Sequence, residues 1–133
     1  MLVRQIHLLR ALIAGMAAMC AILLPALCAR DARAAELVML ERPGCVWCAR
    51  WDREIAPIYP LTDDGRNAPL RRVDITAPWP TDLTAIAPDS YTPTFILLDH
   101  GVEVARLRGY PGEAFFWPML AEMMSQLSGA DSN

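Results

Sequence analysis

The chain has 133 residues, enough for one domain of ordinary size, is 54% hydrophobic and carries a formal net charge of −3. All twelve basic residues are Arg, set against fifteen acidic ones. That balance lacks the basic footprint of a nucleic-acid binder, and the chain is too apolar for a disordered acidic tail.

Residues 1–34 read as a secretory signal. They hold four Arg and one Asp, a net of +3, while the remaining 99 residues carry eight Arg and fourteen Asp plus Glu, a net of −6. Arg4 and Arg10 open the segment. Residues 11–29 then run uncharged for nineteen positions, all apolar except Gly15 and Pro25. Ala32-Arg33-Ala34 sets small residues at the two positions a signal peptidase reads, so cleavage is expected after Ala34, leaving a domain over 35–133. The alternative is an uncleaved inner-membrane anchor, since nineteen residues approach spanning length; the Pro and the small-residue site favour cleavage. A lipid anchor on Cys20 or Cys28 is rejected, because each follows a large residue, Met19 or Leu27, where a small one is needed. Export therefore leaves only Cys45 and Cys48 in an oxidising compartment. They are too close in sequence to staple a fold, so they serve chemistry or a metal.

The mature chain opens with Glu36–Glu41, whose Leu37-Val38-Met39-Leu40 run predicts a buried strand. Arg42-Pro43-Gly44 breaks it. A helix is expected from Cys45 to Tyr59, with Trp47, Trp51, Ile55 and Ile58 at i, i+4, i+8 and i+11 on one face. Pro57 and Pro60 close it, and residues 62–69 read as a surface loop. Leu70–Asp74 is a second strand. Residues 79–87 hold at most a short helix, with Thr81 as its N-cap. Thr94–Asp99 is a third, strongly apolar strand, Asp99-His100-Gly101 a hairpin turn, and Val102–Arg108 a fourth strand. Phe116, Leu120, Met123 and Leu127 mark a last helix at 3.6 spacing, with Pro118 in its first turn or kinking it. The order βαβαββα implies an α/β fold with a small mixed sheet flanked by helices.

Pro43-Gly44-Cys45-Val46-Trp47-Cys48 carries the chemistry. A Cys-x-x-Cys that follows a strand and opens a helix has the placement of a redox pair. The thiolate is the reactive form, and a thiol of pKa about 8.5 is only a few per cent ionised at pH 7. Unpaired N–H groups and the macrodipole at a helix start favour the anion, which suits Cys45 to attack. Cys48, one turn further in, can then attack a mixed disulfide at Cys45 and release the partner. A structural zinc site needs four ligands, and the mature chain adds only His100 to the two Cys. Haem attachment needs His after the second Cys, where Ala49 stands. A copper-carrying thiolate pair and an inert disulfide stay open as alternatives.

The strand–Cys-x-x-Cys–helix start, Thr92-Pro93 before a hairpin and Gly109 after the last strand resemble the thioredoxin superfamily over residues 36–127. Within it, Pro43–Trp51, Arg108-Gly109-Tyr110-Pro111-Gly112 and Phe115-Phe116-Trp117 are similar to the exported thioredoxin-like proteins of bacterial sulfur-oxidation systems, the SoxS group. The resemblance implies a periplasmic thiol–disulfide oxidoreductase with no organic cofactor or metal, its redox-active disulfide formed by Cys45 and Cys48. Pro93 corresponds to the superfamily's cis-proline, whose preceding residue, here Thr92, pairs with a bound partner polypeptide; Trp47 is the exposed residue between the cysteines, for contact with that partner or for redox tuning. The implied partner is a sulfur-oxidation protein with a disulfide or modified carrier cysteine, and a membrane thiol carrier supplies electrons, so the pair works as a reductant. Alternatives are a general periplasmic reductase, for example for cytochrome c maturation, and a non-enzymatic copper-binding or docking module. One departure stands out. Thioredoxin buries an acid where this chain has Met39, so either Cys48 loses its proton through water or Glu41, or turnover with general substrates is slow.

Trp51 is expected to pack the first helix into the core, and Met119, Met123 and Met124 to be core residues. Arg42 reads as a solvated surface Arg, and His100 is assigned no role.

Overall fold

The computed structural model describes residues 35–129. Residues 1–34, expected from sequence to be a secretory signal cleaved after Ala34, lie outside the described residues. The elements are β1 (Ala35–Glu41), α1 (Val46–Glu54), α2 (Asp63–Asn67), β2 (Leu70–Asp74), β3 (Thr94–Asp99), β4 (Val102–Arg108) and α3 (Glu113–Gly129). Among them the sheet runs β2-β1-β3-β4, with β1 parallel to β2 and antiparallel to β3, and β3 antiparallel to β4. This is the expected mixed α/β sheet.

Alternation along β1 and β3 sorts the core into two faces. On one, Leu37, Met39, Phe95 and Leu97 meet Trp51 of α1, Ile55 just after it, and Phe116, Leu120 and Met123 from α3. Trp51 is fully buried, 5.5 Å from the Phe95 ring and 6.0 Å edge-on from Phe116. On the other face, Val38, Leu40, Val73, Ile96 and Leu98 are covered by Leu83 and Ile86 from the crossover between β2 and β3. That crossover holds only a 3-10 turn, Thr81–Leu83, where a short helix was the upper expectation; Thr81 lies inside it, and the cap position is Pro80, which makes no side-chain cap bond. Side chains pin it instead: the Trp79 indole donates to the Leu83 carbonyl at 2.8 Å, and Arg71 donates to Asp82 at 2.9 Å.

Several boundaries differ from the expectation. α1 stops at Glu54 rather than Tyr59. Pro57 has no N–H to continue the ladder and disfavours helical backbone at Ala56, so the chain tightens, with Ile55 and Ala56 both donating to the Trp51 carbonyl at 2.8 and 3.2 Å. Ile58 consequently leaves the apolar stripe and is 46% exposed. The expected 62–69 loop contains α2, capped by Thr62, whose hydroxyl accepts from the Gly65 N–H at 3.0 Å. Gly65 is there for space: a Cβ would lie 1.9 Å from the Tyr59 carbonyl oxygen. α3 begins three residues before Phe116, which puts Pro118 in its interior rather than its first turn. Ala114, whose carbonyl loses the Pro118 N–H as partner, is exposed and can be hydrated. Met119 is 42% exposed and outside the core, whereas Met123 is buried and Met124 packs at its edge.

Candidate active site

Strand register brings three connecting segments to one end of the sheet. Leu40, near the end of β1, pairs with Thr94 at the start of β3, and Thr94 pairs with Arg108 at the end of β4. The Cys-x-x-Cys segment after β1, Thr92-Pro93 before β3 and the turn 109–112 after β4 therefore leave the sheet side by side. His100 belongs to the opposite end, beside Asp99, which pairs with Ala35.

Gly44 has φ +75, a backbone path that other residues rarely take, and it turns the chain from β1 into α1. Cys45 is the N-cap of α1, one residue before the first helical turn, and its Sγ accepts the Cys48 N–H at 3.1 Å. Cys45 and Cys48 are joined by a disulfide, with their Cα atoms 5.2 Å apart. Cys48 is only 4% exposed, whereas Cys45 is half-buried. Val46 and Trp47 between them are 72% and 51% exposed; Trp47 thus departs from the apolar stripe that Trp51 and Ile55 keep. The Thr92–Pro93 bond is cis, Pro93 is buried, and its carbonyl accepts the Gly109 N–H at 2.7 Å.

Among the described residues no buried acid accompanies the pair; fully buried Met39 shares its core cluster. The carboxylates sit on the rim instead. Glu41 and Asp52 line a shallow hollow together with Cys45, Cys48, Arg42 and Ala49. Arg72, register partner of Met39 on β2, holds both, through Nε to Glu41 at 3.0 Å and Nη1 to Asp52 at 2.7 Å. These two carboxylates raise the Arg72 pKa further. Asp52 and Arg72 were not singled out from sequence. The Cys48–Asp52 spacing of four was visible, but the Arg72 link requires knowing the β1–β2 register.

The periplasmic thioredoxin SoxS from Paracoccus pantotrophus, in its reduced form, matches at 54% identity and TM-score 0.64, over 69% of this chain and 97% of that one. The chain belongs to the SoxS family of thioredoxins. It is a thiol–disulfide oxidoreductase built around the Cys45–Cys48 pair. The thioredoxin of Malassezia sympodialis matches at 14% identity and TM-score 0.51, over 68% of this chain and 78% of its own, and shows the fold alone. The Trxlp protein of Edwardsiella tarda matches at 24% identity and TM-score 0.49, over 68% and 87%. No protein-family model matches the chain, and a search of curated proteins finds no match.

Proposed function

We propose that the mature chain, released by cleavage after Ala34, works in the periplasm as a reductant of disulfides or mixed disulfides on a protein of the sulfur-oxidation pathway. The observation that carries this reading is the asymmetry of the pair. Cys45 caps the helix within reach of a donating N–H and is half-buried, while Cys48 is covered. In the dithiol form the Cys45 thiolate attacks one sulfur of the partner disulfide. The partner's S–S bond breaks, a mixed disulfide forms, and the first partner sulfur leaves as a thiolate that takes a proton. Cys48 then gives up its proton, through water in the hollow that Glu41 and Asp52 line, and attacks the Cys45 sulfur. The Cys45–Cys48 disulfide forms, the second partner sulfur leaves, and two electrons have passed to the partner. The disulfide in the structure corresponds to the oxidised end of this cycle.

Thr92, Pro93 and Trp47 form the surface that receives the partner polypeptide: Thr92 offers backbone, Pro93 holds the loop, and Trp47 presents an exposed ring. A membrane thiol carrier returns the pair to the dithiol, because the periplasm is kept oxidising kinetically. The enzymatic part is tested with insulin and dithiothreitol. The mature protein is expected to accelerate insulin precipitation well beyond dithiothreitol alone. A rate equal to the dithiothreitol blank would overturn the reading.

A further inference from the structure

Arg50 lies three residues after Trp47 on α1, at neighbour spacing on the helix surface. Its guanidinium carbon is 5.9 Å from the Trp47 ring centroid and also 5.9 Å from that of Tyr110, in the turn after β4. Its Nε donates to one Glu54 oxygen at 2.8 Å, and the Tyr110 hydroxyl donates to the other at 2.6 Å. Those two donors hold the Glu54 carboxyl below the usual carboxylate range. The turn itself lies against the guanidinium: a Cβ added to Gly112, at φ +99, would sit 3.6 Å from Arg50 Nη2. At the other end of the same turn, Gly109 donates to the Pro93 carbonyl at 2.7 Å.

An Arg and a Glu four apart on a helix are most often a surface pair of little consequence. That reading accounts for the Arg50–Glu54 contact but not for the hydroxyl arriving from residue 110 or for the two rings stacked on one cation. We propose that Arg50 is a positioning residue for protein substrates: with Glu54 and Tyr110 it fixes the Trp47 ring and the Pro93 loop at one spacing, so that a partner polypeptide meets a preformed surface. Binding then spends less on ordering side chains and loop. The inference rests on the docking roles of Trp47 and Pro93 proposed above.

Steady-state reduction of insulin separates the two. Arg50→Leu and Tyr110→Phe are each expected to raise KM by roughly threefold to tenfold, with a smaller change in kcat, and Arg50→Lys to recover most of the loss. Tyr110→Phe keeps the buried ring and removes only the hydroxyl, which guards against a folding effect. Trp47→Ala should raise KM as well, and the Trp47→Ala/Arg50→Leu pair should lose less than the product of the two single losses. If Trp47→Ala raises KM while Arg50→Leu and Tyr110→Phe do not, docking at Trp47 stands and the positioning role is overturned. If Trp47→Ala leaves KM at the wild-type value, the docking reading fails and the positioning role falls with it. Losses confined to kcat, or fully multiplicative in the double variant, also overturn the positioning role.

Discussion

Cys45→Ser is expected to abolish disulfide reduction, and Cys48→Ser to leave a protein that forms one mixed disulfide and stops. The two outcomes differ because the two sulfurs occupy different places. Cys45 is half-buried at the helix cap, where backbone N–H groups and the macrodipole favour its thiolate. Cys48 is 4% exposed and can be reached by the Cys45 sulfur but poorly by a partner protein. Without Cys45 no attack begins; without Cys48 nothing expels the bound partner. Intact-mass analysis and peptide mapping after incubation with insulin check this. The adduct should be found on Cys45 in the Cys48→Ser variant, with no comparable adduct on Cys48 in the Cys45→Ser variant. An abundant adduct on Cys48 would reverse the roles.

Trp51→Ala is expected to cost about 3–5 kcal/mol of stability, a large share of what a domain of this size possesses. Trp51 is completely buried and packs against Tyr59, Phe95 and Phe116, at centroid distances of 6.5, 5.5 and 6.0 Å, so it joins α1 to the sheet and to α3. Neighbours from three separate segments of the chain cannot all collapse into the space it leaves. Its indole N–H is buried without a hydrogen-bond partner among the described residues. Trp51→Phe, which deletes that unpaired donor and keeps an aromatic ring, should therefore lose less than half as much. Urea denaturation of the two variants gives the comparison. A cost under about 1 kcal/mol for Trp51→Ala would mean that α1 is not anchored through this residue.

What the sequence made legible followed from local patterns. The continuous apolar runs at 37–40 and 95–98 signal strands buried on both faces, and both faces are indeed covered. The Gly44-Cys45 break between strand and helix marks where the pair sits. Elements whose shape depends on other segments were harder to see. α1 ends early because Pro57 breaks the ladder although the apolar stripe continues to Ile58 in the sequence. α2 was hidden because Gly65 reads as a turn residue, whereas it is required by the Tyr59 carbonyl 1.9 Å from where its Cβ would be. Met119 keeps helical spacing with Met123 yet is 42% exposed, because which part of α3 is covered depends on the elements it packs against. At the site, the cysteines and the proline were legible as motif residues. The Arg72 clamp and the Arg50–Glu54–Tyr110 cluster were not, since each joins positions 20 or more residues apart, as in Arg72 with Asp52 and Tyr110 with Glu54.

The central claim is that Cys45–Cys48 turns over as a reductant, and the redox state of the pair inside the cell tests it most directly. Cells are quenched in acid, free thiols are alkylated with a reagent of known mass, and the protein is resolved by the added mass. The pair should be largely dithiol in cells with a working membrane thiol carrier and largely disulfide in cells lacking it. A pair found fully oxidised while the carrier is intact would contradict the reductant account.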